Sequence, residues 1–305
     1  MTELQRYLAE EVAEDHADGI ITRREAVRRL GLLGVSGSAA VAMLAAAVGD
    51  AAAKQGVAGA AGGHGRRRRG AHGSSVAWAP AATEAITFAG PRGTLMAAWA
   101  PAAGKAHGAV LVIHENRGLN DHIRNVAGRF AASGYSALAL DLLSEEGGTA
   151  AFPGEAEVAA ALSAAAPARF DEDMKAAVTE LRRRVPRRRL NAIGFCFGGG
   201  MVWRLLASGE KRLAAAAPFY GPFPTGGDLS GTRATVLGVY AGRDTRVNAT
   251  RDAARAALEA ARLDHQIATF TQADHAFFND TGARYNAAAA QEAWHRVLIL
   301  FGLVR

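Results

Sequence analysis

The sequence predicts an α/β domain in which a mostly parallel central sheet carries helices on both faces. Apolar, strand-like runs alternate with helical segments from residue 83 to residue 305, which is the order that produces such a sheet. The run at residues 109–113 is continuously apolar, as expected for a central parallel strand covered on both faces. Hydrophobic residues make up 50% of the chain and charged residues 21%, a balance typical of a globular protein.

The predicted elements begin with a short antiparallel pair of strands joined by a turn at residues 91–93. Strands are predicted at residues 86–89, 95–99, 109–113, 136–143, 190–195, 214–220, 235–240 and 266–271. Helices are predicted at residues 121–133, 171–184, 200–208, 249–262 and 283–303. In the helix at 171–184, acids in the first turn and arginines in the last complement the helix dipole. Ligands of parallel sheets bind at the carboxyl ends of the strands, so the functional side chains are expected there.

The first 82 residues are predicted to lie outside this domain. The paired Arg23 and Arg24 precede an uncharged apolar run at residues 30–48, which is the layout of a bacterial twin-arginine export signal. Residues 1–53 are therefore predicted to be an export signal, with the twin-arginine machinery as a partner and a periplasmic or extracellular destination. The apolar run is also long enough for a membrane anchor, and an ordinary amphipathic helix stays open as a third interpretation.

A linker is predicted between this signal and the α/β domain, at residues 54–82. The segment consists mainly of glycine, alanine, serine and arginine and has almost no large apolar side chains. Such a composition cannot bury enough apolar area to offset the entropy of ordering the chain. The folded domain is accordingly predicted at residues 83–305.

The net charge of +6 does not by itself indicate a nucleic-acid partner. The arginines fall into local runs at residues 66–69, 182–184 and 187–189, which are typical of solvated faces or tails. No recognisable nucleic-acid module and no interleaved aromatic residues accompany these runs. Nucleic-acid binding would require the runs to converge on one face, and no nucleic-acid partner is expected.

Cys196 is the only cysteine of the chain, so it is either a buried apolar side chain or a reactive thiol. Its neighbours favour the thiol, because Gly194-Phe195-Cys196-Phe197-Gly198 lies between a predicted strand and a predicted helix. This is the nucleophile-elbow pattern with cysteine in the place of serine. Glycines are needed there because side chains would collide with backbone in the tight turn. At the helix N-terminus the dipole favours a thiolate, and the N–H of Phe197 can help to bind an oxyanion.

An acid and a histidine follow the cysteine in the order that a nucleophile elbow requires. Asp244 comes just past the strand at 235–240, and His275 comes just past the strand at 266–271. Asp274 competes for the acid role, but an adjacent residue rarely reaches the far ring nitrogen of the histidine. The other candidate histidines have no metal-like partner spacing, so neither a metal site nor a cofactor is expected at His114, His122, His265 and His295.

These segments resemble the dienelactone hydrolase family of the α/β-hydrolase superfamily over residues 83–305. The resemblance is carried by Gly194-Phe195-Cys196-Phe197-Gly198-Gly199, Ala241-Gly242-Arg243-Asp244, Asp274-His275-Ala276-Phe277 and Ile113-His114-Glu115-Asn116-Arg117-Gly118-Leu119-Asn120. It implies the α/β-hydrolase fold and makes Glu115 the group that takes up the thiol proton when substrate binds. It also makes the backbone N–H of Asn116 the second oxyanion donor.

The resemblance implies hydrolysis of a carboxylic ester or lactone by attack of Cys196 on the carbonyl, with His275 relaying protons and Asp244 orienting it. Family members that act on dienelactone hold the substrate carboxylate with arginines, one of them four residues after the histidine. Asn279 occupies that position here, so a different small-molecule substrate is expected.

Further candidates for the substrate pocket are Arg117 and Arg246, which are possible replacements for the missing arginine, and Tyr220, which matches a family pocket position. The alternative function is an exported, non-catalytic binding or redox-sensing protein on the same scaffold, with Cys196 as a reactive thiol. The pairing of Asp244 with His275 favours the hydrolase, because a sensor needs no acid–histidine relay. The oligomeric state is left open.

Overall fold

The computed structural model describes residues 1–60 and 80–302, with side chains for residues 1–51 and 80–302. The helices are α1 Glu3–Ala17, α2 Arg23–Leu32, α3 Gly37–Ala60, α4 Asp121–Ala132, α5 Glu155–Ala164, α6 Pro167–Arg184, α7 Phe197–Ala207, α8 Thr245–Asn248, α9 Arg251–Ala260 and α10 Ala287–Phe301. The strands are β1 Glu84–Gly90, β2 Gly93–Ala100, β3 Gly108–Ile113, β4 Tyr135–Asp141, β5 Arg189–Phe195, β6 Leu213–Phe219, β7 Thr235–Ala241 and β8 His265–Phe270. The chain divides into two compact units, which are Met1–Ala77 with Gly154–Ala164, and Trp78–Pro153 with Ala165–Arg305.

The larger unit is built on an eight-stranded sheet with the order β1-β2-β4-β3-β5-β6-β7-β8. The pairs β1–β2 and β2–β4 are antiparallel, and every pair from β4 through β3 to β8 is parallel. Because the strands of this parallel part share one direction, their carboxyl ends form a single edge. The prediction of a mostly parallel sheet flanked by helices is confirmed.

The centre of the sheet forms the core of the larger unit. Every residue of β3 and of β4 is buried, as the continuous apolar run at 109–113 predicted. Full burial of an aliphatic side chain contributes about 1.5–3 kcal/mol, so the aliphatic side chains of these two strands are a large source of stability. They also form a rigid base for the loops at the carboxyl edge.

The helices of the larger unit begin and end at local signals. Asn120 caps α4 by accepting a hydrogen bond from the backbone N–H of Ile123, and Asn286 caps α10 in the same way. Pro167 starts α6 four residues before the predicted start, because the fixed φ of proline suits the first helical position. The expected acids are therefore not in the first turn of α6, whereas the arginines do occupy its last turn.

The smaller unit contains α1, α2, α3 and α5. Thr2 and Gln5 form a capping box at the start of α1, a helix that the polar composition of residues 1–21 did not predict. Thr22 caps α2, and Arg28 in α2 donates a hydrogen bond to Glu157 in α5 at 2.6 Å. The side chains of Leu8 and Leu30 are fully buried.

The structure describes the apolar run at 30–48 and the first part of the predicted linker. The apolar run at 30–48 is not one helix, because α2 ends at Leu32 and Gly34 adopts a positive φ before α3 begins. Among residues 1–60 and 80–302, no helix is both long and apolar enough to cross a membrane. Residues 54–60 of the predicted linker continue α3, and residues 61–79 lie outside the described part of the chain.

Candidate active site

Cys196 lies in the tight turn between β5 and α7. Its backbone has φ 56° and ψ −120°, a conformation that costs a residue other than glycine about 1–3 kcal/mol. The turn is held on both sides, because the Cys196 N–H donates to the carbonyl of Phe219 at 3.0 Å and its own carbonyl accepts from Gly200 at 3.1 Å. The strained conformation of Cys196 is thus held in place by hydrogen bonds to the neighbouring strand β6 and to the first turn of α7.

The two glycines of the elbow have no room for a side chain. A Cβ at Gly194 would lie 2.1 Å from the carbonyl oxygen of Gly198. A Cβ at Gly198 would lie 2.4 Å from the carbonyl oxygens of both Ile113 and His114, at the end of β3. The N-terminus of α7 therefore packs directly on backbone of the β3–α4 connection, which brings Cys196 close to the segment that follows β3.

His275 and Asp244 form a buried pair at the neighbouring strand ends. Nδ1 of His275 lies 2.5 Å from Oδ2 of Asp244, and the other oxygen of Asp244 accepts the backbone N–H of Val247 at 3.0 Å. Asp274 does not take this place, because its half-exposed carboxylate faces Arg243 at 3.3 Å. The geometry thus pairs His275 with the acid that follows β7 and not with its own neighbour.

The pair shifts both of its pKa values. Burial by itself would raise the pKa of Asp244, but the charge of His275 and the hydrogen bond from it outweigh burial and lower that pKa to about 2. Burial would lower the pKa of His275, but the charge and hydrogen bond of Asp244 outweigh it and raise that pKa well above its ordinary value. Interaction with Cys196 raises the pKa of His275 further, and the Sγ atom lies within 4.8 Å of a ring nitrogen of the histidine.

Glu115 lies at the end of β3, next to the elbow. The ring of His114, which precedes it, is stacked against Phe197 with 6.1 Å between the ring centroids. The side chain of Glu115 is buried, and its Oε2 accepts a hydrogen bond of 2.7 Å from Nδ2 of Asn279. Its Oε1 is also buried and has no hydrogen-bond partner among the described residues. Gly198 packs on the backbone carbonyl of His114, and Glu115 is the next residue. The oxygen of Glu115 that has no hydrogen-bond partner among the described residues therefore belongs to the residue next to this contact.

The predicted oxyanion donors lie at the two segments that meet here. Phe197 is the first residue of α7, and its buried ring packs edge-on against Phe170 with 5.8 Å between the centroids. Asn116 is half-buried in the turn after β3, in which the Gly118 N–H donates to the carbonyl of Glu115 at 3.1 Å. Phe197 follows β5 and Asn116 follows β3, so both residues lie at the carboxyl edge of the sheet, as Cys196 does.

Tyr220 lies beside His275. It follows β6, is fully buried and has a φ of 35°, and its N–H donates to the carbonyl of Val239 at 2.7 Å. Its ring meets the ring of His275 edge-on with 5.2 Å between the centroids. The tyrosine thus forms part of the wall around the histidine.

Comparison with known proteins identifies the family. The family model "Dienelactone hydrolase family" matches residues 96–304. The chain belongs to the dienelactone hydrolase family. Membership implies a hydrolase of the ester or lactone class, and it does not favour the non-catalytic alternative.

Relatives of this dienelactone hydrolase family member cover most of its larger unit. A Yersinia pestis protein named "Putative carboxymethylenebutenolidase" is 32% identical over 209 residues, which are 63% of this chain and 76% of the relative. The solved "Putative Dienelactone Hydrolase" of Klebsiella pneumoniae is 27% identical with a TM-score of 0.62, over 72% of this chain and 98% of its own. The dienelactone hydrolase-like promiscuous phosphotriesterase P91 from metagenomic libraries is 26% identical with a TM-score of 0.62, over 73% of this chain and 98% of its own. The fold is accordingly the α/β-hydrolase fold.

In this dienelactone hydrolase family member, the candidate Arg117 lies two residues after Glu115, and the candidate Arg246 lies two residues after Asp244. Arg117 is half-buried in the turn after β3, and Arg246 is half-buried in α8. The charge of Arg246 contributes to the low pKa of Asp244, although less than His275 does. A role of either arginine in holding a substrate stays a prediction.

Sequence reasoning treated Asn279 only as the place of a missing arginine. The structure gives it a partner of its own, since it binds the carboxylate of Glu115. The next residue, Asp280, lies 3.1 Å from Nδ1 of His122 and was not predicted to have any role. Within the described residues of the larger unit, no three side chains of His, Cys, Asp or Glu converge as the ligands of a metal ion would.

Proposed function

We propose that this dienelactone hydrolase family member is a cysteine hydrolase of an uncharged carboxylic ester or lactone, with Cys196, His275 and Asp244 as its triad. The observation that carries the proposal is the buried 2.5 Å pair of His275 and Asp244 beside a cysteine at a nucleophile elbow. Cys196 is buried in this structure, but its strained backbone at the N-terminus of α7 is the geometry of a nucleophile elbow and not of an ordinary core side chain.

The raised pKa of His275 suggests how the protons move. A raised pKa favours the protonated imidazole, which is a poor acceptor for the proton of the thiol, so a second base is suited to this step. Glu115 offers the buried Oε1 at the adjoining strand end, and we assign it this role. The thiolate of Cys196 attacks the carbonyl carbon, and the N–H groups of Phe197 and Asn116 bind the oxyanion.

The rest of the cycle uses the proton of His275. The protonated imidazole donates to the leaving alkoxide as the carbon–oxygen bond of the ester breaks, which leaves a thioester on Cys196. The neutral imidazole then takes a proton from water, and the resulting hydroxide attacks the thioester. The acid leaves, Cys196 is released as a thiolate that takes its proton back from Glu115, and Asp244 keeps the ring of His275 in one orientation throughout.

The surroundings of Glu115 favour a substrate without a charge near the carbonyl. The one hydrogen bond to its side chain comes from the neutral amide of Asn279, and it makes no ion pair with a described residue. A second carboxylate about 4 Å away would be repelled by about 1–4 kcal/mol. Dienelactone carries such a carboxylate, so a neutral ester or lactone suits this site better.

The test compares turnover of two p-nitrophenyl esters of equal chain length, the neutral butyrate and the anionic monosuccinate, by the full chain. We expect Cys196→Ala to abolish both activities with an unchanged melting temperature. The parent should prefer the butyrate by about tenfold or more in kcat/KM, because each 1.4 kcal/mol corresponds to a factor of ten. Glu115→Gln should bring this ratio towards unity, whatever its effect on kcat. Turnover that survives in Cys196→Ala, or equal use of both esters by the parent, would contradict the proposal.

A second activity, hydrolysis of a neutral phosphotriester, is favoured by the similarity to P91, whose name includes phosphotriesterase. The same thiolate and oxyanion donors suit attack at phosphorus, because the phosphoryl oxygen also gains negative charge. Diethyl p-nitrophenyl phosphate added to the same panel tests this activity. Release of p-nitrophenol by the parent and not by Cys196→Ala supports it, and equal background rates contradict it.

Export through the twin-arginine machinery is a separate proposal, which rests on the arginine pair and the apolar run. Arg23 and Arg24 are both exposed at the start of α2. Substitution of both by lysine should retain the chain in the cytoplasm of a bacterium that expresses it, which cell fractionation and immunoblotting would measure. An unchanged distribution between fractions would contradict a twin-arginine signal.

A further inference from the structure

The loop between β8 and α10 carries His275 in a conformation that needs support. Ala276, directly after the histidine, has a φ of 61°, which is strained for an alanine. Phe277 and Phe278 are buried, and the carbonyl of Phe277 accepts the N–H of Asn286 at 3.0 Å. These contacts hold the middle of the loop, and Phe278 also stacks on Phe195, the residue before Cys196, with 5.1 Å between the ring centroids. They do not tie the loop to the β3–α4 connection.

Two consecutive polar residues make that connection. Nδ2 of Asn279 donates to Glu115 at 2.7 Å, and its Oδ1 accepts from the backbone N–H and the hydroxyl of Thr281 at 3.0 and 2.7 Å. Asp280 binds α4 with both oxygens, through His122 at 3.1 Å and through Arg129. The loop of His275 is thus tied to the β3–α4 connection and to α4 itself.

The α4 side of this contact is built for an anion. His122 and Arg129 are seven residues apart, which places them on one face of the helix two turns from each other. Both side chains are largely buried, with exposed fractions of 2% and 9%. Nε of Arg129 donates to Asn125 at 2.6 Å, which orients the guanidinium towards Asp280. Partly buried charges bound by more than one partner in fixed geometry contribute more than an exposed ion pair does.

We propose that Asp280 is a positioning residue, which fixes the loop of His275 through His122 and Arg129 and thereby also sets Asn279 against Glu115. The inference rests on the proposed triad and deepens it, because the two proton carriers, His275 and Glu115, are then placed by one anchor. The hydrogen bond from His122, followed by the bond and charge of Arg129, lowers the pKa of Asp280 to about 2. Asp280 is accordingly an anion at every pH at which a thiolate hydrolase works, so the anchor stays in place.

The experiment compares Asp280→Ala and Asp280→Asn with Glu210→Ala in the full chain. Glu210 is the matched control, because its buried carboxylate also binds an arginine, Arg212, but precedes β6 at the opposite edge of the sheet. Three quantities are measured, which are the melting temperature, kcat and KM for p-nitrophenyl butyrate, and the pH profile of the alkylation of Cys196 by iodoacetamide. The alkylation profile reports the thiolate directly and needs no ester turnover.

We expect Asp280→Ala to lower kcat by about 10- to 100-fold with KM changed less than about twofold, since a small misplacement of a catalytic group is enough for such a loss. Its alkylation profile should move to higher pH. Asp280→Asn, which keeps the shape and an acceptor for His122, should lie between the parent and Asp280→Ala, and it serves as the test variant if the alanine variant does not fold. Glu210→Ala should lose melting temperature without either effect.

The inference is overturned if the folded Asp280 variants keep the kcat and the alkylation profile of the parent, or if Glu210→Ala changes both to the same extent. If Cys196 of the parent is alkylated at a lower pH than a free cysteine but the parent hydrolyses no ester, the proposed substrate class is contradicted and the anchor is not. In that case the alkylation profiles of the Asp280 variants alone decide the inference.

Discussion

Oδ2 of Asp244 lies 2.5 Å from Nδ1 of His275, and both side chains are shielded from solvent. An isolated carboxylate or imidazolium in this environment would be costly, and together they satisfy each other. This hydrogen bond fixes the ring so that its other nitrogen is directed away from Asp244. This contact therefore combines a stabilising role with an orienting one, and the two can be separated by substitution.

Asp244→Asn should lower kcat by about 10³- to 10⁴-fold, because an amide in this position favours the wrong tautomer of the histidine. The effect on KM should be small, since Asp244 is not proposed to touch the substrate. Steady-state kinetics on p-nitrophenyl butyrate measure both values, and circular dichroism checks that the variant is folded. An Asp244→Asn variant with kcat within tenfold of the parent would mean that another group orients His275.

The pair also predicts how stability depends on pH. The pKa of His275 is raised in the folded state, so its contribution is complete below the ordinary value of about 6.5 and is lost as the pH rises through the folded-state pKa. The free energy of unfolding of the parent, measured in urea from pH 6 to pH 9, should therefore decrease towards alkaline pH. Asp244→Asn removes the group that raises this pKa and should flatten the decrease. Parallel curves for the two proteins would contradict the coupling.

Gly198→Ala tests the elbow without removing a reactive group. The new Cβ would lie 2.4 Å from the carbonyl oxygens of Ile113 and His114, which are backbone atoms and cannot rotate away. We expect a loss of about 1–3 kcal/mol in the free energy of unfolding, together with a lower kcat as α7 shifts. Gly200→Ala is the control on the same helix, because its nearest neighbour would be a proline side-chain atom at 3.3 Å. Equal effects of the two substitutions would show that close packing at position 198 is unimportant.

The sequence predicted the parts of the site that depend on local patterns. Cys196 was predicted to lie at an elbow because the glycines at 194 and 198 mark a tight turn between an apolar strand and a helix, and the structure places it in that turn. Asp244 and His275 were found because each directly follows an apolar run, and parallel strands bring their carboxyl ends to one edge. Helix starts were less accurate, since α6 begins at a proline four residues before the predicted position.

The contacts that tie the site together could not be read from local patterns. Asn279 and Glu115 are 164 residues apart, and Asp280 and His122 are 158 residues apart. No periodicity links such positions, because their meeting depends on strand order and on the path of the loop after β8. The helix α1 was missed for a different reason, since its polar sequence hides a capping box at Thr2.

A second cluster of charges, around Asp173, predicts a titration that does not involve the triad. Arg92 binds three carboxylates, which are Glu172, Glu145 at 2.6 Å and Asp173 at 2.9 Å. Only Asp173 is buried, and Arg169 lies 3.9 Å from it. Burial raises the pKa of Asp173 to about 6, with Glu145 and Glu172 adding to the rise and Arg92 and Arg169 opposing it. The two arginines do not compensate fully for the burial of this acid.

This raised pKa sets the sign of the pH effect. The folded protein holds a proton on Asp173 that the unfolded chain has already lost between about pH 4 and pH 6, so its contribution to stability falls as the pH rises through this window. Asp173→Asn should therefore become more stable relative to the parent by about 1–2 kcal/mol from pH 4 to pH 7, with allowance for screening by solvent.

The measurement is the difference in the free energy of unfolding between Asp173→Asn and the parent, determined in urea at steps of pH between 4 and 7. Glu180→Gln is a control of opposite sign, because hydrogen bonds from Arg183 and Arg184 outweigh burial and lower the pKa of Glu180. That variant should lose stability relative to the parent as the pH rises from 4 to 7. If the difference in the free energy of unfolding between Asp173→Asn and the parent does not change with pH, Asp173 does not hold a proton in this pH range. The ion pair with Arg92 then outweighs the effect of burial on the pKa of Asp173.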